Sequence, residues 1–259
     1  MTNWKITFVV NMIRLVLYHV ITAILAVWAR TILFIMGWRS IDDKVWTHVS
    51  KHKHSVAIFA HTAYADFYIL CLYLLANPGR MGFVRVLMKP DPFVYAERLL
   101  RAFGCIPAGK MSERDSGSSN RIVTELHTAD HTMLLLSPKG TIVKGEWRSG
   151  WYHIARALPG PIVVVGLDYE RKCALITDYI DLVQPYDESA TAVTAAMAAT
   201  KDKVVKLMYD IVPLIPDEEV ISTRPHDVSR RSVVNWNWAG RCVGVIVLFV
   251  VSSRLFWPN

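Results

Sequence analysis

Residues 56–66 read VAIFAHTAYAD, an apolar run followed by a histidine and then, five positions later, by an aspartate. The run 56–60 is typical of a short buried strand, and helix-forming residues follow it. Five positions correspond to about 500° around a helix axis, so His61 and Asp66 cannot share a helix face. We therefore predict that His61 lies between a strand and a helix, with Asp66 in the first helical turn. Asp66 can then accept a hydrogen bond from one ring nitrogen and leave the other to take a proton.

Strand and helix patterns alternate on both sides of this stretch. The helix after His61 is predicted to stop at the breaker Asn77-Pro78-Gly79. Further strands are predicted over 82–88, 133–136, 162–167 and 172–177, the last pairing with the one before it. Further helices are predicted over 92–103, 148–158 and 188–209, and a polar loop over 112–120. The pattern predicts an α/β fold, a mixed central sheet flanked by helices.

The N-terminal residues 6–37 are largely apolar, with Arg14, His19 and Arg30 interrupting the run. The stretch 15–29 is shorter than the ~20 residues that cross a bilayer core. Two membrane interpretations stay open: one tilted helix whose arginines reach the interface, or a bent helix pair in one leaflet. A cleaved signal peptide fits less well, because no small-residue cleavage site follows a short apolar core.

A second apolar segment, 242–253, lies near the C-terminus between Arg241 and Arg254, with tryptophans at its edges. As a helix it reaches only about 18 Å, so we predict membrane contact, with a buried element of the domain as the alternative. These boundaries divide the chain into a membrane-associated helical segment (1–40), a central domain (41–235) and a C-terminal hydrophobic segment (236–259).

The charge and cysteine content restrict the class of partner. The formal net charge is +7, and together with apolar ends it favours an anionic lipid surface over nucleic acid. The four cysteines form no metal-binding spacing and lie among apolar residues, which indicates buried thiols in a reducing compartment. His52 and His54 alternate with lysines, which favours a solvated basic stretch, and we predict no metal site.

A second candidate site follows the predicted strand 133–136, in the segment SPKGTIVKGEWR at 137–148. Its glycines allow a close backbone approach to an anion, and Lys139, Lys144 and Arg148 supply positive charge. The alternative is a solvated basic loop. The spacing is not that of a P-loop. A third, weaker motif is the helix stop and turn GCIPAGK at 104–110.

In this order the motifs resemble those of the glycerolipid acyltransferase family, which includes the 1-acylglycerol-3-phosphate acyltransferases. The matching positions are His61 and Asp66; Gly104, Ile106 and Lys110; Pro138-Lys139-Gly140-Thr141-Ile142; Arg148-Ser149-Gly150; and Pro161-Ile162-Val163-Val164-Val165. The resemblance covers about residues 50–180 and implies the family's mixed sheet with a membrane-associated N-terminus.

The resemblance implies a membrane-bound enzyme of phospholipid biosynthesis that moves an acyl group from a thioester to a lysophospholipid. His61 would be the general base, oriented by Asp66, with acyl-coenzyme A or acyl-carrier protein as co-substrate and no cofactor. The implied substrate-binding residues are Lys89, Lys110, Lys139, Gly140, Thr141, Lys144 and Arg148. The implied location is the cytoplasmic face of a membrane: the endoplasmic reticulum or another intracellular membrane in a eukaryote, or the bacterial inner membrane.

Two departures from the family pattern leave alternatives open. Lys139 and Ile142 stand where the family has a glutamate and an arginine, and Ala60 and Ala63 stand where asparagine and serine are common. Because this turn is taken to hold the acceptor's phosphate, the head group of the acceptor is open. The alternatives are a catalytically inactive, lipid-binding protein of the same fold and a hydrolase that uses water as the acceptor.

Overall fold

The computed structural model of the protein describes residues 3–41, 43–59, 61, 63–109, 118–140 and 146–208. The strands are β1 (Arg39–Ile41), β2 (His54–Phe59), β3 (Val84–Met88), β4 (Cys105–Pro107), β5 (Thr132–Leu136), β6 (Ile162–Asp168) and β7 (Cys173–Ile180). The helices are α1 (Asn3–Ile35), α2 (Asp43–Val49), α3 (Tyr64–Ala76), α4 (Pro78–Met81), α5 (Phe93–Ala102), α6 (Ser118–His127), α7 (Gly150–Ala157) and α8 (Ala190–Met208).

The strands form one seven-stranded mixed sheet in the order β1-β7-β6-β2-β5-β3-β4. From β6 to β4 every neighbouring pair is parallel. β7 runs antiparallel to β6 through the predicted hairpin, and β1 is parallel to β7 at the edge. The expected α/β class, with a mixed sheet between helices, is confirmed.

Both faces of the sheet are covered, and β2 shows why its sequence is apolar throughout. Ala57 and Phe59 pack into one core with α1, α2, α3 and α5. Val56 and Ile58 pack into the other core with α6, α7 and α8. Since successive side chains of a strand point to opposite faces, a strand buried on both sides carries no polar alternation.

The N-terminal apolar stretch forms one continuous helix, α1, of 33 residues, which agrees with the single-helix alternative and not with the bent helix pair. Its length is about 50 Å, more than the ~30 Å of a bilayer core. From Thr7 to Ile35 it is long and apolar enough to cross a membrane, by length and composition. Among the side chains of α1 that the structure describes, those buried against the domain lie in its C-terminal half: Ala26, Ala29, Ile32 and Leu33.

Several local expectations need correction. His54 is not part of a solvated basic stretch, because it begins β2 and is buried. Helix α5 begins at Phe93, with Pro92 in the cap position, rather than at Pro92. A helix, α6, occupies residues from Ser118 onward, where the end of a loop was expected.

Three of the four cysteines lie in the described residues, and Cys71, Cys105 and Cys173 are buried free thiols, as expected. Burial raises the pKa of the Cys105 thiol to about 12 and also raises the pKa of Cys71 and of Cys173. These thiols therefore stay protonated and unreactive. Cys242 and the whole C-terminal hydrophobic segment lie outside the described residues.

Candidate active site

His61 and Asp66 lie where strand β2 gives way to helix α3. β2 ends at Phe59, α3 begins at Tyr64, and Asp66 is the third residue of that helix. His61 Nδ1 lies 3.1 Å from Asp66 Oδ2. The side chain of His61 is 29% exposed, whereas that of Asp66 is 2% exposed. The structure thus brings the two residues together in the arrangement that their spacing predicted.

Asp66 also caps the helix that carries it. Its Oδ2 accepts a hydrogen bond from the backbone N–H of Ala63, at 2.9 Å. This is half of a capping box, in which an acidic third residue reaches back to the cap residue. The positive end of the helix dipole favours a negative charge at this position. The local fold of α3 therefore holds the carboxylate next to His61.

A third partner of Asp66 comes from a distant part of the chain. Tyr169 Oη donates to Asp66 Oδ1 at 2.6 Å, across 103 residues of sequence. Tyr169 directly follows β6, which pairs with β2 in parallel, so both strands end at the same edge of the sheet. Burial and the neighbouring Asp66 raise the pKa of Tyr169, so its hydroxyl remains a donor. No motif or spacing in the sequence indicates this contact.

The geometry defines a role for each ring nitrogen of His61. With Asp66 ionised, Nδ1 carries the ring proton and donates a hydrogen bond to Oδ2. This tautomer is inferred from the hydrogen bond. Nε2 is then the nitrogen with a lone pair. A histidine held in this way can remove a proton from a hydroxyl group or from water.

The basic turn follows β5, the strand adjacent to β2. The N–H of Gly140 donates to Ser137 O at 3.0 Å, and Gly140 has a φ of +64°, a left-handed conformation that favours glycine. The N–H of Arg148 donates to Pro138 O at 3.0 Å. A Cβ on Gly140 would lie 4.0 Å from Arg148 Nε. The structure therefore brings Lys139, Gly140 and Arg148 to one place.

The register of the sheet relates this turn to the histidine. Ile58 pairs with Leu136, so the turn at 137–140 follows β5 at the edge of the sheet where His61 follows β2. Val86 pairs with Leu135, so Lys89, which follows β3, lies at this same edge. Since neighbouring strands lie about 4.8 Å apart, His61, Lys139 and Lys89 follow the ends of three successive strands at one edge.

This edge is also a topological switch point of the sheet. After β2 the chain continues in α3 on one face, toward β3. After the adjacent β5 it continues in α7 on the other face, toward β6. Ligands of α/β proteins bind at such points, outside the carboxyl ends of the strands. The histidine and the basic turn flank this point.

The remaining predicted binding residues, Lys110, Thr141 and Lys144, lie outside the described residues. Gly104, which precedes Lys110 in its motif, has a φ of +76°, and a Cβ there would lie 2.7 Å from Val84 O. The glycine of that motif thus allows β3 and β4 to approach each other. Ile106 is buried in the core. The motif at 104–110 is therefore structural over its described residues, 104–109.

No set of three or more histidine, cysteine, aspartate or glutamate side chains is placed to hold a metal ion in the part of the chain that the structure describes. The absence of a metal from the site stays a prediction. Among the described residues, the chemistry available at this edge is that of an imidazole, a carboxylate, a phenol and basic side chains.

Comparison of the chain with protein-family models gives no match, and comparison with curated proteins gives none either. The functional interpretation therefore depends on the site and on the motif resemblance.

Proposed function

We propose that the protein is a membrane-associated acyltransferase, which moves a fatty acyl group from an acyl thioester to the hydroxyl of a lysophospholipid. The observation that carries the proposal is the His61–Asp66 pair, at 3.1 Å, at the sheet edge that also holds the Lys139–Gly140 turn. The motif resemblance gives the reaction class, and the α/β fold with a mixed sheet is compatible with that family's fold.

In the proposed mechanism the enzyme uses no covalent intermediate. Nε2 of His61 takes the proton of the lipid hydroxyl while that oxygen attacks the thioester carbonyl. The new C–O bond forms, the C–S bond breaks, and the imidazolium returns its proton to the leaving thiolate. Asp66 supports the positive charge that His61 carries between these two steps. The atoms and charges of these steps balance without a further reactant.

The basic residues are assigned to the acceptor. Lys139 and Arg148 converge on one turn, and Lys89 follows the neighbouring strand. Together they supply the positive charge that a phosphate group needs, in place of the arginine that the family has where Ile142 stands. The acceptor is therefore a lysophospholipid with a phosphate group near its free hydroxyl, such as 1-acylglycerol-3-phosphate. Lys110, Thr141 and Lys144 belong to the same proposal through the motif resemblance.

Helix α1 is assigned to the membrane because its N-terminal half is apolar and exposed. Phe8, Leu15 and Tyr18 are each more than half exposed. Apolar side chains on all sides of a helix suit lipid rather than water. Both proposed substrates keep their acyl chains in the bilayer, so an enzyme anchored there meets them at the interface. The proposed location is the cytoplasmic face of an intracellular membrane.

The test is an assay of product identity on the full-length protein in detergent micelles. Palmitoyl-coenzyme A is supplied with and without 1-acylglycerol-3-phosphate, and both free thiol and lipid products are measured. The proposal predicts thiol release that depends on the lysolipid and equals the diacyl product formed. Free fatty acid in equal amount to the thiol would mark a hydrolase instead. No thiol release across a panel of phosphorylated lysolipids would leave only a lipid-binding role and contradict the proposal.

A further inference from the structure

We infer that Tyr169 is a positioning residue of this site, which holds the Asp66 carboxylate in the orientation that His61 requires. The catalytic consequence of this inference rests on the proposed acyl transfer, whereas its geometric part does not. Tyr169 belongs to none of the motifs that suggested the function.

The two oxygens of Asp66 have different partners. Oδ2 accepts from His61 Nδ1 and from the N–H of Ala63, at 3.1 and 2.9 Å. Oδ1 accepts from Tyr169 Oη at 2.6 Å, the shortest of these contacts. Hydrogen bonds on both oxygens fix the rotation of the carboxylate about its last torsion. Oδ2 is thereby kept toward the imidazole.

Tyr169 is itself held in place by the turn between β6 and β7. Asp168 Oδ1 accepts from the N–H of Arg171 at 2.8 Å, and Oδ2 lies 3.3 Å from Arg171 Nη1. Lys172 completes the turn with a φ of +50°. Because Asp168 is fully buried, this turn is anchored at the end of the sheet. The phenol thus extends from a fixed point of the backbone.

The end of α1 packs against the same turn. The ring of Trp38 meets the ring of Tyr169 edge to face, with 5.1 Å between centroids. Lys172 Nζ donates to Met36 O at 3.2 Å, and the N–H of Arg39 donates to Lys172 O at 2.9 Å. The tyrosine is therefore fixed between the hairpin and the junction where the apolar helix joins the sheet.

A phenol suits this place better than a charged donor. Asp66 is almost completely buried, and a buried carboxylate needs hydrogen-bond donors to remain ionised. Tyr169 supplies one without adding a second charge that would compete with His61 for the carboxylate. Without the hydroxyl, Oδ1 loses this donor, and the carboxylate can turn away or take up a proton. Either change removes the support for an imidazolium at His61.

The variant that tests this is Tyr169→Phe, which keeps the ring against Trp38 and removes only the hydroxyl. The matched control is Tyr73→Phe, because Tyr73 lies in the same layer but its hydroxyl bonds to Arg39 O and Ala174 N. We expect kcat of acyl transfer to fall roughly 5- to 30-fold in Tyr169→Phe, with KM for both substrates nearly unchanged, since one hydrogen bond is lost. Because the imidazolium of His61 loses support, the acid limb of the pH–rate profile should move to lower pH, and Tyr73→Phe should show neither effect.

A second measurement needs no turnover. In protein labelled with ¹⁵N-histidine, a downfield ring N–H signal that disappears in His61→Gln belongs to the bond between His61 and Asp66. We expect this signal to broaden or shift in Tyr169→Phe and to stay unchanged in Tyr73→Phe. In an Asp66→Asn background, Tyr169→Phe should not lower kcat any further, because the hydroxyl acts through the carboxylate.

The two readouts separate the inference from the proposed function. A signal that responds to Tyr169→Phe in a protein without acyl transfer would support the positioning role and contradict the proposed reaction. A wild-type enzyme that transfers acyl groups, with kcat, pH profile and His61 signal all unchanged in Tyr169→Phe, would overturn the inference and leave the reaction in place.

Discussion

His61 and Asp66 show how much one short segment can specify. Their spacing excludes a shared helix face, and the apolar run before His61 places the histidine at the end of a strand. Both deductions need only local geometry, and the structure agrees with both. The partner on the other oxygen of Asp66 could not be deduced in this way. Tyr169 reaches it only because β6 and β2 are neighbours, which is a property of the whole sheet.

Lys139 provides a test of the proposed acceptor at the scale of one side chain. In Lys139→Ala we expect KM for 1-acylglycerol-3-phosphate to rise about tenfold, the size of one lost charge-assisted hydrogen bond. With unphosphorylated 1-acylglycerol as acceptor, the variant should match the wild type. Steady-state kinetics with both acceptors provide the measurement, and Lys203→Ala, an exposed lysine of α8, is the control. An equal KM for the phosphorylated acceptor in wild type and variant would remove Lys139 from the site.

His54 makes stability depend on pH. Burial lowers the pKa of its imidazole below 6.5, with further contributions from His127, Lys53 and His131. Above pH 6.5 the residue is neutral in the folded and the unfolded chain. Below it the unfolded chain takes up the proton first, so stability is present above that pH and decreases as the pH falls.

We expect the midpoint temperature of thermal unfolding to decrease when the pH is lowered from about 8 to about 5.5. The decrease should be smaller in His54→Leu. His153→Leu is the control, because His153 is exposed on α7. If the wild type and His54→Leu lose the same number of degrees over this range, His54 is not the source of the dependence.

At the scale of elements, the sequence predicted the buried strands and the long helices better than the short or polar elements. Helix α6 was missed because, from Ser119 to His127, only Ile122 and Leu126 are buried, one turn apart among mostly polar neighbours. Strand β1 was missed because its three residues pair with β7, far away in sequence. Short elements of this kind form because the rest of the fold is present to pair with them.

Gly160, in the connection from α7 to β6, lies where no side chain fits. A Cβ on Gly160 would lie 1.7 Å from His54 O. We expect Gly160→Ala to displace β6 from β2 and to give little soluble folded protein, as measured by circular dichroism and size-exclusion chromatography in detergent. Gly79→Ala is the matched control, since a Cβ there meets nothing within 4 Å. A Gly160→Ala protein with the wild-type unfolding temperature would mean that the two backbones lie farther apart.

At the scale of the whole molecule, the order of the strands creates the site. The sequence predicted alternating strands and helices, but it gave no means of ordering the strands. That order brings the ends of β2, β5 and β6 together, and with them His61, Lys139 and Tyr169. Strand order depends on which helices cover which face, and this is decided by packing between distant segments.

Attachment to the membrane is tested by a charge in α1. Ile24 is 62% exposed, and its neighbours one turn away on the helix are apolar, so a carboxylate introduced there has no cation to pair with. A charge within a membrane helix costs about 3 kcal/mol. We expect Ile24→Glu to reduce flotation of the protein with vesicles of phosphatidylcholine and phosphatidic acid. Tyr186→Glu, at a more exposed position outside α1, should float as the wild type does. Equal flotation of the two variants would show that α1 does not anchor the protein.

The most direct measurement is the rate of lysolipid acylation by His61→Ala, compared with the wild type and with the exposed-site variant His153→Ala. The mechanism predicts that His61→Ala loses at least about 100-fold in rate, the contribution of a general base, while its thermal unfolding midpoint stays at the wild-type value. His153→Ala should keep the full rate. If His61→Ala is folded and acylates the lysolipid at the wild-type rate, the imidazole held by Asp66 is not the base, and the proposed mechanism is wrong.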